Sequence, residues 1–202
     1  MRGLFVTGTD TGVGKTVLSA ALMLRYPEAY YWKPIQTGPD DDTAEVRRLS
    51  GGHVIDAGIR LPDPVSPHLA AQRSEITIDL DPLVSQVRTT PVIVEGAGGV
   101  LVPVNDSQTM ADLMVLLGLP VVVAARATLG TINHTLLTIE ALRARALRVA
   151  GVVMIGDANA DNRAAIEQYG NVAVIAEMPW FDPLTRESLG IWAEALPKDL
   201  IT

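Results

Sequence analysis

The sequence has 202 residues, of which 48% are hydrophobic and 19% charged, and its formal net charge is −7. This length and composition predict a single folded domain over residues 1–202 and exclude an intrinsically disordered chain. The negative charge argues against binding to nucleic acid or to an anionic membrane surface, and the absence of cysteine excludes disulfides, zinc–thiolate sites and thiol catalysis.

The first predicted strand, residues 4–6, leads into the glycine-rich segment at residues 8–16, Gly-Thr-Asp-Thr-Gly-Val-Gly-Lys-Thr. A helix predicted over about residues 14–26 follows, which is the context of a phosphate-binding loop. In such a loop Lys15 reaches the β- and γ-phosphates and the Thr16 hydroxyl binds Mg²⁺. Gly8 stands one position earlier than the standard motif requires. The alternative, a turn that only joins strand to helix, gives no reason for Gly-Lys-Thr at the helix start.

A second strand, predicted at residues 29–32, ends before Lys33-Pro34, because proline cannot donate a hydrogen bond within a sheet. Residues 35–39 are interpreted as a loop. A lysine at a strand end is commonly just a solvated side chain. The position of Lys33 at the expected ligand crevice makes it a candidate site residue instead.

An acidic run at residues 40–42 precedes a short helix predicted over residues 43–49. Asp42 and Glu45 fit a capping box at the start of this helix, while a role for Asp42 in the site stays open beside it. Residues 53–75 are predicted to be irregular except for a small helix at 68–72, and residues 79–87 to be helical.

From residue 91 onward apolar strands alternate regularly with helices. Strands are predicted at residues 91–95, 119–125, 149–155 and 172–176, and helices at 109–117, 131–146, 162–169 and 183–196. This pattern predicts an α/β P-loop NTPase fold, with a mostly parallel β-sheet flanked by helices on both faces. Ligands bind such sheets at the carboxyl ends of the strands.

Glu95 ends one of these apolar strands and is followed by Gly96-Ala97-Gly98-Gly99. A carboxylate at this position suits a second contact to Mg²⁺, and the glycines would let the backbone approach a phosphate closely. The alternative is a solvated acid at the rim, followed by a flexible loop.

Five segments, in this order along the chain, together resemble the dethiobiotin synthetase family: residues 8–16, 33–38, 66–68, 95–99 and 129–134. No signal-peptide pattern and no apolar run near 18 residues is evident, so we expect a cytoplasmic protein. The resemblance implies an ATP- and Mg²⁺-dependent cyclo-ligase of biotin synthesis. It would form the ureido ring of dethiobiotin from 7,8-diaminononanoate (7,8-diaminopelargonate) and CO2, releasing ADP and phosphate. One amine would take up CO2 as a carbamate, which attacks the γ-phosphoryl group to give a mixed anhydride, and the second amine would close the ring.

The resemblance also implies roles for particular residues. The catalytic residues would be Lys33, Lys15 and Thr11, and the ligands of Mg²⁺ would be Thr16, Asp42 and Glu95. The nucleotide would contact Gly12, Val13, Gly14, Lys15, Thr16, Val17, Asp42, Glu95, Gly96, Ala97, Gly98, Ile155, Gly156, Pro179 and Trp180. The substrate would contact Thr11, Lys33, Thr37, Ser66, Pro67, Gly130, Thr131 and Asn133. The last three would come from the second subunit of a homodimer.

One position departs from the family pattern. Where many relatives place an asparagine and an acid that recognise adenine, this chain has Ile155-Gly156. An isoleucine side chain neither donates nor accepts a hydrogen bond. We therefore predict a relaxed choice among ATP, CTP and other nucleoside triphosphates.

Two other functions are kept as alternatives. A partition or septum-positioning ATPase would carry a second lysine near the start of the phosphate loop, where this chain has Asp10. An amide-forming ligase of corrinoid synthesis would usually add a glutaminase domain with a cysteine nucleophile, and this chain has neither the length nor the cysteine.

Overall fold

The computed structural model describes residues 2–201, which form nine strands and eight helices. The strands are β1 Gly3–Gly8, β2 Tyr30–Trp32, β3 Ile35–Thr37, β4 His53–Ile55, β5 Ile59–Leu61, β6 Val92–Gly99, β7 Val121–Arg126, β8 Val149–Ile155 and β9 Val174–Met178. The helices are α1 Lys15–Arg25, α2 Asp42–Ser50, α3 Pro67–Arg73, α4 Leu80–Ser85, α5 Met110–Leu117, α6 Thr131–Arg143, α7 Ala160–Gly170 and α8 Arg186–Ala193.

Seven strands form one sheet in the order β4-β2-β6-β1-β7-β8-β9, and every pairing in it is parallel. The predicted fold class is therefore confirmed. Strand β6 lies between β2 and β1, with Val94 opposite Trp32 on one side and Glu95 opposite Val6 on the other. This order brings the ends of β1, β2 and β6 to one place at the carboxyl edge of the sheet.

Both faces of the sheet are covered, because successive apolar residues of each strand point to opposite sides. Tyr31 and Ile93 pack with residues of α1, α2 and α8, whereas Trp32 and Val94 pack with residues of α3 to α7. Within residues 2–201 no helix is both long and apolar enough to cross a membrane.

The region between β2 and α3 is more regular than predicted. Residues 35–37 form β3, which pairs with β5 in a separate two-stranded parallel sheet, so the prediction of a loop there was wrong. The strands β4 and β5 replace part of the predicted irregular stretch. Strands β3, β4 and β5 have only three residues each, too few to show an alternating pattern, and burial of Ile35 in β3 and Leu61 in β5 stabilises the pair that these two strands form.

Candidate active site

The phosphate loop connects the carboxyl end of β1 to the amino end of α1. Gly14 precedes α1 with φ of 102°, a left-handed conformation that favours glycine. A Cβ atom at Gly8 would lie 2.6 Å from Cγ1 of Val13, which explains the glycine at this unusual position. The Lys15 ammonium donates a hydrogen bond to the carbonyl of Asp10 at 2.9 Å. Burial, followed by the nearby charge of Lys33, lowers the pKa of Lys15 to about 8.

Three oxygen atoms from separate elements converge beside this loop. Oγ1 of Thr16 lies 3.0 Å from Oδ1 of Asp42 and 3.1 Å from Oε1 of Glu95. A hydroxyl group has one hydrogen and can satisfy only one of the two carboxylates. The cluster therefore keeps unused acceptor capacity of the hard oxygen type that divalent magnesium prefers.

Lys33 supplies the positive charge of this cluster. Its Nζ lies 2.6 Å from Oδ2 of Asp42 and 2.8 Å from Oε1 of Glu95, and it donates a third hydrogen bond to the Gly96 carbonyl at 3.1 Å. Burial disfavours the charged ammonium, but the two carboxylates outweigh that effect and raise the pKa of Lys33. Burial likewise disfavours ionised Asp42, and Lys33 outweighs it, so the pKa of Asp42 is lowered.

The helix cap at α2 is made by Asp41 and not by Asp42. The side chain of Asp41 accepts a hydrogen bond from the Ala44 N–H at 2.9 Å. The capping-box interpretation of Asp42 and Glu45 was therefore wrong, because Asp42 is the first residue of the helix and its carboxylate faces Lys33 and Thr16. The glycine segment after Glu95 also differs from the predicted loop, since residues 96–99 continue β6.

A cavity of about 620 Å³ opens above the cluster. The predicted site residues that line it are Thr11, Gly12, Gly14, Lys15, Thr16, Val17, Lys33, Thr37, Asp42, Ser66, Pro67, Glu95, Ala97 and Gly98. Six lining residues were not predicted: Gln36, Gly38, Asp40, Pro64, Val65 and Val102. The cavity therefore extends from the phosphate loop to the segment before α3.

Two buried side chains, those of Gln36 and Tyr31, form hydrogen bonds with residues of the cluster and were not predicted as site residues. Oε1 of Gln36 accepts the N–H of Asp42 at 3.3 Å. The hydroxyl of Tyr31 donates to Oε2 of Glu95 at 3.0 Å. The strand period was an available signal for Tyr31, because two-residue spacing places it on the same face as Lys33.

The remaining predicted nucleotide residues lie around the loop and not in the cavity lining. Val13 is buried. The Ile155 side chain is buried directly under the loop, where a Cβ atom on Gly14 would lie 3.0 Å from its Cδ1. Trp180 is exposed and adjoins Gly156, since a Cβ atom there would lie 3.4 Å from Nε1 of the indole. Pro179 is exposed beside it.

The predicted substrate residues near α6 are not part of the cavity formed by this chain. Gly130 precedes α6 with φ of 93°, Thr131 is buried in its first turn, and Asn133 is exposed. Leu129, just before them, is fully exposed.

The fold and site define a P-loop ATPase class of protein, with a lysine and two carboxylates at the carboxyl edge of a parallel sheet. The family described as "AAA domain" matches residues 2–188. The ParA family ATPase from Chlorobium tepidum TLS has a similar fold, with a TM-score of 0.59 and 11% identity over 96% of this chain and 90% of that one.

The particular family follows from closer relatives. The ATP-dependent dethiobiotin synthetase BioD of Paramagnetospirillum magneticum is 52% identical over 181 residues, which are 88% of each chain. The enzyme of the same name from Nitrobacter hamburgensis is 47% identical over 92% of this chain and 90% of its own length. The chain belongs to the ATP-dependent dethiobiotin synthetase family.

Proposed function

We propose that the protein is an ATP-dependent cyclo-ligase that forms the ureido ring of dethiobiotin from 7,8-diaminononanoate and CO2, with release of ADP and phosphate. Its family membership supports the reaction. One observation supports placing the reaction beside the phosphate loop, namely the convergence there of Lys33, Thr16, Asp42 and Glu95. Residues 1–202 would act as one ligase domain.

The oxygen cluster fits Mg²⁺. Thr16, Asp42 and Glu95 would hold the ion, because their three oxygens already approach one another and share a single hydroxyl hydrogen. When bound, Mg²⁺ would neutralise charge on the β- and γ-phosphates. The first backbone N–H groups of α1 and the Lys15 ammonium would hold the same phosphates.

The protein's task in this chemistry is mainly positioning and charge neutralisation. One amine of the diamine adds to CO2 and loses a proton, which gives a carbamate. The carbamate oxygen forms a bond to the γ-phosphorus and ADP leaves; the second amine then attacks the carbonyl carbon, loses a proton and expels phosphate. Lys33 would stabilise the carbamate and the transferred phosphoryl group. Because all three of its hydrogen-bond donors are engaged, it would exchange one of these contacts for the substrate.

The far part of the cavity suits a diamine with a hydrocarbon chain. Thr11 and Thr37 would hydrogen-bond the reacting end, while Ser66 and Pro67 would contact the substrate beyond it. The apolar side chains of Pro64, Val65 and Val102 also line this part. They would pack against methylene groups.

A homodimer would complete the site. The substrate's carboxylate would bind at the amino end of the partner's α6, where Gly130, Thr131 and Asn133 would provide the contacts. Two observations support this arrangement. These three residues do not line the cavity formed by their own chain, and the neighbouring Leu129 is fully exposed.

The nucleotide base would lie near Gly156, with Trp180 beside it and Pro179 next in the chain. Ile155 offers the base no hydrogen bond, and its side chain is buried under the phosphate loop. Recognition through backbone groups would admit CTP and other triphosphates beside ATP.

The direct test is incubation with the diamine, bicarbonate, Mg²⁺ and ATP, with the product identified by its mass. A Lys33→Ala variant should retain nucleotide binding and lose most turnover. Lys198→Ala, a change at an exposed lysine near the carboxyl end, is the matched control and should behave as wild type. Absence of product with the wild-type protein would refute the assigned reaction, and normal turnover by Lys33→Ala would refute the role of Lys33.

A further inference from the structure

We propose that Tyr31 is a positioning residue of the metal site, which acts by holding the carboxylate of Glu95 in the orientation that binds the ion. This inference rests on the proposed function, because it assigns Glu95 as a ligand of Mg²⁺. It adds a residue to that site which touches neither the ion nor the phosphates.

The two oxygens of Glu95 have different partners. Oε1 faces the cluster, at 2.8 Å from Nζ of Lys33 and 3.1 Å from Oγ1 of Thr16. Oε2 accepts a hydrogen bond from the hydroxyl of Tyr31 at 3.0 Å. Because the phenol occupies Oε2, the other oxygen is the one directed at the position of the ion.

The sheet places the phenol there. Strands β2 and β6 are parallel neighbours, with Tyr31 opposite Ile93, so the tyrosine ring lies two positions behind Glu95 on the same face. Both side chains are almost completely buried, at 0% and 1% exposure, so water does not compete for Oε2. A carboxylate oxygen in such surroundings needs a donor.

Loss of the phenol hydroxyl would leave Oε2 without this partner. The carboxylate would then turn to share Lys33 between its oxygens, because that ammonium is the nearest remaining donor. Oε1 would leave the position beside Thr16 as a result. Removal of a partner that orients a metal ligand typically weakens metal binding by 10- to 100-fold.

The test compares Tyr31→Phe with Tyr26→Phe. The control also loses a buried phenol hydrogen bond, since the Tyr26 hydroxyl donates to the Pro197 carbonyl at 2.7 Å and accepts the Leu200 N–H at 3.2 Å, remote from the site. Binding of Mn²⁺ is measured by electron paramagnetic resonance with protein in excess over ATP, so that the ion held by free nucleotide does not contribute. Binding of ATP alone is measured in the presence of EDTA.

For Tyr31→Phe we expect Mn²⁺ binding to weaken by about tenfold or more while ATP binding in EDTA stays unchanged. Tyr26→Phe should match wild type in both measurements. Equal Mn²⁺ affinity in wild type and Tyr31→Phe would overturn the inference and leave the proposed function standing. Failure of the wild-type protein to bind Mn²⁺ with ATP would overturn both.

A second pair of variants shows whether the effect passes through Glu95. Adding Tyr31→Phe to Glu95→Gln should cause no further loss of Mn²⁺ binding, whereas an additive loss would overturn the proposed route. If Tyr31→Phe alone does not fold, folding of the variant that carries both Tyr31→Phe and Glu95→Gln tests the inference instead. A folded combined variant supports the inference, because an amide tolerates loss of the phenol better than a buried carboxylate does, and an unfolded one overturns it.

Discussion

Replacing Lys33 with methionine tests whether this ammonium is the counter-ion of the buried carboxylates. The side chains of Lys33 and Glu95 are 5% and 1% exposed, so Glu95 would keep a buried charge without its partner. Breaking a buried ion pair in this way costs about 3–5 kcal/mol. Asp42 is 21% exposed and recovers part of its hydration, which places the expected loss near the lower end, at about 3 kcal/mol.

The assay is equilibrium unfolding by urea at neutral pH, in EDTA and again with excess Mg²⁺. In EDTA the variant should unfold with a free energy about 3 kcal/mol below that of wild type, which leaves a typical domain folded. Added Mg²⁺ should reduce this difference, because the ion supplies positive charge to the same carboxylates. Lys198→Met, at an exposed site, should lie within about 0.5 kcal/mol of wild type.

Two results would refute the reasoning. One is a Lys33→Met variant as stable as Lys198→Met in EDTA, since Lys33 would then not be compensating the buried charge of Glu95. The other is a Lys33→Met variant that gains nothing from additional replacement of Glu95 by glutamine. An amide in place of the carboxylate removes the unpaired charge and should recover part of the loss.

Three further predictions concern a helix cap, the subunit contact and nucleotide choice. Hydrogen bonds from Thr109, chiefly from its N–H, lower the pKa of Asp112. Asp112→Ala should therefore lower the free energy of unfolding by about 1 kcal/mol at pH 7. This difference from wild type should be lost as the pH falls below about 4, because the stabilisation is present only while the carboxylate is ionised. Leu129→Glu should convert a dimer to monomers in analytical ultracentrifugation and reduce turnover, whereas Ile191→Glu, at an exposed apolar residue on α8, should do neither. Because Ile155 cannot hydrogen-bond a base, kcat/KM for ATP and CTP should differ by less than about 100-fold, and near-exclusive use of ATP would contradict this.

The parts of the fold visible in the sequence are those with a local signal. The β1–α1 unit and the alternation from β6 onward follow from runs of Val, Ile and Leu and from glycine positions, which act within a few residues. Strands β3 and β5 are different, because each has three residues and pairs with a strand more than twenty positions away. Their pairing is a tertiary effect that no local pattern contains.

The candidate site also has residues that a local sequence signal predicts and contacts that depend on tertiary structure. Lys15 and Thr16 belong to a motif, Lys33 directly follows β2, and Glu95 ends the apolar run of β6, so the sequence points to each of them separately. Asp41 caps α2, which leaves the carboxylate of Asp42 free for the cluster. This arrangement depends on the exact residue at which α2 begins, and the ends of helices are the least certain feature of predictions from sequence. The contact of Tyr31 with Glu95 needs the strand order, which places β6 beside β2.

The place of β6 between β1 and β2 also bears on how the chain folds during synthesis. Thr16 and Glu95 are 79 residues apart, and Lys33 and Glu95 are 62 apart. A growing polypeptide therefore presents its phosphate loop and its buried lysine to the ribosome's surroundings well before the strand that joins them exists. Until residues 92–99 have emerged, β1 and β2 pack against α1 but lack the strand that pairs with both of them, and Lys33 lacks Glu95 and the Gly96 carbonyl as partners, so the charged cluster is complete only once β6 has joined the sheet.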